Sequence, residues 1–233
     1  MVLTKEKIKN LISEEFIKFA NLHGFRRVSL RDDIDYNIHL KDTETIKNVI
    51  TPAIGRISPI GNYFQAAGVS LDTHLRVIEE VWEDLAHIVD ISIPRAQLLG
   101  PWTYSLMLGN IDSTFSDWRK YECTAKGVTK FFKDLNASNV VGLIEKSRSR
   151  ENIWQLDKLL NKNVEIPNCI DDFGLNGNGL VFRRLVIAKL ANNTNYDNIV
   201  SYHRSFYAEY KKASPLEKYP DAIEALILRL SKF

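Results

Sequence analysis

Two carboxylates stand one residue apart in Asp33-Ile34-Asp35, within the stretch "RDDIDYNIHL". On a strand, residues i and i+2 share a face, so this pair could hold magnesium for phosphoryl transfer. A second stretch, "DDFGLNGNGLVFRRLVIAKL" at 171–190, places three glycines ahead of an amphipathic run and invites comparison with a phosphate cradle. A dinucleotide loop requires G-x-G-x-x-G directly after a buried strand, and a P-loop requires G-x-x-x-x-G-K-[ST]. Here the order is Gly174-x-x-Gly177-x-Gly179, with no Lys-Ser or Lys-Thr behind it and the polar "NCIDD" in front. Asn176-Gly177 and Asn178-Gly179 both favour positive φ, so the stretch predicts a turn into a helix that Asn178 caps and that begins at Gly179 or Leu180. Arg183 and Arg184 then fall on the first turn of that helix, where only one can easily face outward. His23, His39, His74, His87 and His203 lack HxxxH or HExxH spacing, and no serine sits in a G-x-S-x-G elbow. Cys123 and Cys169 have neither CxxC nor Cys/His spacing, which predicts reduced thiols and no zinc site.

The elements that would position these residues follow from periodicity. Ile8, Leu11, Ile12, Phe16 and Phe19 recur at helical spacing from Thr4, a suitable N-cap, and Gly24 is placed to end the helix after His23. Residues 34–40 alternate Ile34, Tyr36, Ile38 and Leu40 with polar side chains, the period of a half-buried strand. Between 48 and 71, segments rich in β-branched and aromatic residues are broken at Pro52, Gly55, Pro59-Ile60-Gly61 and Gly68, predicting two strands and a tight turn. Asp72 is expected to cap a helix running to about His87, with Leu75, Ile78, Val81, Trp82 and Leu85 inward and Glu79, Glu80, Glu83 and Asp84 elsewhere. A strand is expected at 101–109, with Ser105 on it. A helix at 125–144 is followed by "IWQLDKLL" at 153–160, the glycine stretch, and helices near 179–191, 195–212 and 215–231. Tyr202, Phe206 and Tyr210, spaced i, i+4, i+8, read as a core stripe. Strands before 110 and helices after 125 predict an α+β fold, its antiparallel or mixed sheet packed by helices. The hydrophilic "SRSRE" divides residues 1–149 from a mainly helical portion at 150–233 that can pack on the same core.

With 45% hydrophobic and 26% charged residues, the chain can bury a large core, and no apolar run is long enough to span a membrane. A charged N-terminus without an apolar signal segment points to the cytoplasm. The net charge of +2 disfavours a dedicated nucleic-acid binder. Residues 1–90 nevertheless hold 11 basic against 14 acidic side chains, and the remainder 20 against 15. Arg183, Arg184, Lys211 and Lys212 in that basic rear keep a nucleic-acid module open as an alternative.

Asp33 and Asp35 resemble the D-h-D strand of nucleotidyltransferases over about a dozen residues. That family implies a magnesium-dependent enzyme, although it places a Gly-Ser pair before the strand where this chain has Gly24-Phe25. A broader resemblance spans residues 8–146: a helix, "HGFRR" at 23–27, "FQAAGVSLD" at 64–72, "LLGPWTYSLMLG" at 98–109, Trp118 and a long amphipathic helix. This order is similar to a family of uncharacterised bacterial α+β domains whose relatives include immunity proteins against polymorphic toxins. The resemblance carries no catalytic motif and does not extend to 150–233. It implies a cytoplasmic protein-binding protein that occludes a toxin, with no cofactor. The acidic helix bearing Glu79, Glu80, Glu83 and Asp84 would steer onto a basic toxin domain.

Overall fold

The computed structural model describes residues 1–27, 39–85, 103–115, 117–165, 179–210 and 218–233. The chain is α+β, with a six-stranded antiparallel sheet in its N-terminal half and mostly helices after it. In chain order the elements begin with helix α1 (Lys5–Leu22) and strands β1 (Arg26–Arg27), β2 (His39–Asp42), β3 (Ile46–Ser58) and β4 (Tyr63–Leu75). Helix α2 (Arg76–Glu79) and strands β5 (Tyr104–Met107) and β6 (Arg119–Tyr121) follow. The remaining helices are α3 (Ala125–Asn136), α4 (Val140–Ser149), α5 (Ile153–Leu160), α6 (Leu180–Leu190), α7 (Tyr196–Tyr210) and α8 (Tyr219–Leu230). The sheet order is β1-β2-β3-β4-β5, and β6 also pairs with β4.

The chain divides into two compact units. The first comprises 1–43, 47–73 and 105–147; the second comprises 44–46, 74–104 and 148–233. The second unit thus takes in 74–104 as well as the helical portion expected from residue 150.

In the first unit, the Thr4 hydroxyl accepts a hydrogen bond from the Lys7 amide at 3.4 Å and starts α1, whose Ile8, Ile12, Phe16, Phe19 and Ala20 are buried. His23 is the C-cap and Gly24 follows at φ +78°. Helix α3 packs against α1, its own entry capped by Thr124, which accepts from the Gly127 amide at 3.0 Å. Phe131 of α3 meets Phe64 of β4 and Tyr121 of β6 at ring distances of 6.1 and 5.3 Å. These contacts fix which side of the β4–β6 pair is interior. The β3–β4 turn, Pro59 to Asn62, closes with the Asn62 amide donating to the Pro59 carbonyl at 3.0 Å.

In the second unit α6 is the centre, and every residue from Leu180 to Ala188 is buried. Helices α5, α7, α8 and α2 pack around it, as a helix covered on all sides requires.

Several expectations are corrected. No helix begins at Asp72: β4 continues through it to Leu75, α2 is only four residues long, and a separate 3-10 turn spans Glu83–Leu85. Asp72 instead lies half-buried on the strand, where the Ser105 hydroxyl donates to its carboxylate and burial pushes its pKa up. The helix expected at 125–144 is two helices, α3 and α4, broken at 137–139. Of the strand expected at 34–40, residues 39–40 are described; His39 and Leu40 are both buried, so the polar position faces no solvent. Helix α7 buries Ile199, Val200 and His203, while Tyr202 and Phe206 are half-buried and stack on each other at 6.0 Å. The core face of α7 is therefore offset from the aromatic stripe.

Candidate functional site

The polar residues the sequence singled out on α6 are interior. Arg183 donates from Nε to Glu79 Oε1 at 2.7 Å and from Nη2 to Oε2 at 3.0 Å, and both side chains are fully buried. Burial pushes the Glu79 carboxyl up, while the Arg183 charge and its hydrogen bonds pull it back. Trp82 stacks on Phe182 at 5.3 Å, with the Arg183 guanidinium 5.0 Å from its ring. Gly179 is the residue that lets α6 enter here. It is the N-cap at φ +80°, and a Cβ on it would lie 2.4 Å from Trp82 Cη2.

Arg184 is equally buried and makes a different set of bonds. It donates to Asn161 Oδ1 at 2.9 Å and to the carbonyls of Asn163 and Val164, each at 3.0 Å. Its Nη1 lies 3.2 Å from His203 Nε2. A guanidinium has only donors, so His203 Nε2 accepts and the imidazole is neutral with its proton on Nδ1. Burial, then the Arg184 charge, push His203 down to about 3; burial also lowers Arg184 to about 10.

This geometry corrects two readings. Both arginines face inward, where one was expected to face solvent. Glu79 belongs to the interior and leaves the acidic surface to Glu80, Glu83 and Asp84. Of these, Glu80 pairs with Arg76 at 3.0 Å, and Asp84 receives both Nη atoms of Arg229 at 2.7 and 2.8 Å. The N-cap of α6 is Gly179 and not Asn178. Asp33 and Asp35, Gly174 and Gly177, and Lys211 and Lys212 lie outside the described residues. Among the described residues, no group of three or more His, Cys, Asp or Glu side chains is placed to hold a metal ion, and no helix is long and apolar enough to cross a membrane. Cys123 is buried with a free thiol.

The surface feature that sequence reasoning missed is in the first unit, on the side of the β4–β6 pair opposite Phe131. The register sets Gln65 opposite Lys120, and the Lys120 ammonium lies 4.8 Å from the Tyr63 ring centre. Trp118, half exposed, covers Gly55 of β3: a Cβ at Gly55 would lie 3.0 Å from indole Cζ3 and 3.6 Å from Gln65 Cβ. The missing side chain is what lets the indole settle against the strand. At the tip of the same hairpin, Ile60 is fully exposed. Trp118 was visible in the sequence as an aromatic residue, but no local pattern pairs it with a glycine 63 positions earlier.

No family model, no curated protein and no solved structure matches the chain.

Proposed function

We propose that the chain is a cytoplasmic protein-binding protein of the toxin-neutralising immunity kind, acting by covering its partner, and that the outer side of the β3–β4 hairpin is its contact face. The observation that carries this reading is Trp118, half exposed and held over Gly55 beside Tyr63, Gln65 and Lys120. Trp and Tyr supply large, rigid contact area at low entropic cost and dominate binding energy at protein interfaces. The exposed Ile60 extends the same hairpin with an apolar tip. A toxin as partner is favoured by the resemblance of residues 8–146 to immunity-related domains. Glu80, Glu83 and Asp84 remain exposed in the other unit and can contribute to steering, although two of the three already hold arginines.

Affinity capture from the native cells, with wild type and Trp118→Ala in parallel, tests this. The expected result is a discrete protein retained by wild type and lost by about tenfold or more in the variant, with an unchanged melting temperature. Co-expression should then relieve that protein's toxicity with wild type and fail with Trp118→Ala. Capture that is indifferent to both Trp118→Ala and Ile60→Glu would remove this face from the interaction.

A further inference from the structure

Within the second unit, the last turn of α5 and the α6–α7 connector enclose an open pocket of about 600 Å³. Polar side chains reach it from both sides, Lys158, Asn161 and Lys162 on one and Asn193 and Asn195 on the other, with Asp157 between. We propose that this pocket binds a small phosphate-bearing, hydroxyl-rich ligand.

The lysines give the first reason. Lys158, in the last turn of α5, and Lys162, just beyond its end, are both exposed on the pocket wall. The one carboxylate in the pocket is already occupied. Asp157 accepts from Asn161 Nδ2 at 2.9 Å through one oxygen and from Asn193 Nδ2 at 2.7 Å through the other, which holds its carboxylate in place, and against the two ammonium groups the lining keeps a net positive charge.

The backbone gives the second reason. The last carbonyls of α6, which would repel an anion, are covered: the amides of Ala191, Asn192 and Asn193 donate to Ile187, Lys189 and Ala188 at 2.9, 3.1 and 2.9 Å. Asn192 makes this turn possible at φ +54°.

The third reason is preorganisation. Asn161 is 4% exposed, and besides Asp157 it bonds the Arg184 carbonyl at 3.2 Å and accepts from Arg184 Nε at 2.9 Å. The pocket floor is therefore tied to the interior and cannot collapse onto the lysines. The exposed amide and hydroxyl groups of Asn195 and Thr194 supply donors and acceptors matched to sugar hydroxyls.

Binding is read by NMR titration of the whole protein, following the side-chain amide resonances of Asn161, Asn193 and Asn195. Glucose 6-phosphate, inorganic phosphate and glucose are the three probes. The expected order is glucose 6-phosphate strongest, phosphate weaker and glucose without effect. In Lys158→Gln/Lys162→Gln the shifts with glucose 6-phosphate should weaken by about tenfold or more, while the melting temperature stays level, as expected for exposed positions. No shift with either anion, equal shifts with glucose, or shifts that survive in the double variant would each overturn the proposal.

Discussion

His203 shows how a single neighbour can set a residue's protonation. Its ring is fully buried against a permanent cation, Arg184, and its Nδ1 has no hydrogen-bond partner among the described residues. An unfolded histidine titrates near 6.5, whereas this one is held to about 3. Between those values the unfolded chain binds a proton that the folded chain refuses. The contribution of His203 to stability is therefore complete above about pH 6.5 and is lost as pH falls toward 3, at about 1.4 kcal/mol per pH unit. Urea unfolding of wild type and His203→Gln at pH 7, 6, 5 and 4 measures this. The variant should lose less stability than wild type with each step down, and parallel curves would show that the histidine does not titrate this way. Glu79 and Arg183 carry a related lesson about residues. They are adjacent in space and 104 positions apart in the chain, and the acidic run around Glu79 reads as surface until its partner is known.

At the scale of elements, the entry to α6 can be tested directly. Gly179 combines positive φ with a wall of indole where a Cβ would go. Gly179→Ala should cost about 1 kcal/mol for the backbone alone, and more because Trp82 must move. Chemical denaturation gives the total, and loss of near-ultraviolet signal from Trp82 gives the location. A stability change within about 0.5 kcal/mol would contradict the geometry, since that is the range of a neutral surface change. The elements legible in the sequence were those whose signals are local: α1 with Thr4 and Gly24, the β3–β4 hairpin with Pro59-Ile60-Gly61, and the helices α6, α7 and α8. Residues 72–85 were misread because Leu75, Ile78, Trp82 and Leu85 fit a helical period, while the strand period of Val69, Leu71, Thr73 and Leu75 runs into the same segment. Pairing with neighbouring strands decides such a conflict, and pairing is not a local property. The burial of both Arg183 and Arg184 was illegible for the same reason: a helix that is covered on every side has no outward face to which periodicity can assign them. The Trp118 face was also hidden, since it depends on three strands meeting.

For the molecule as a whole, the division at the hydrophilic stretch near residue 149 is the tempting place to cut, and the cut should fail. A fragment of 148–233 contains Arg183 but neither Glu79 nor Trp82, so its central helix would carry a buried charge without a counter-charge. Removing one partner of a buried pair costs about 3–5 kcal/mol, comparable with the whole stability of a small domain. That fragment should give a poorly dispersed proton–nitrogen spectrum and a broad thermal transition, and a sharp cooperative melt would refute the argument. The same separation bears on synthesis. At roughly 5–20 residues per second, the 104 positions between Glu79 and Arg183 correspond to a wait of roughly 5–20 s on the ribosome. During that interval Trp82, Ile78 and Leu85 have emerged without the helix that will cover them. A nascent chain in this condition presents an adhesive apolar segment well before its own completion, which makes it a natural client for a chaperone that holds unfinished polypeptides.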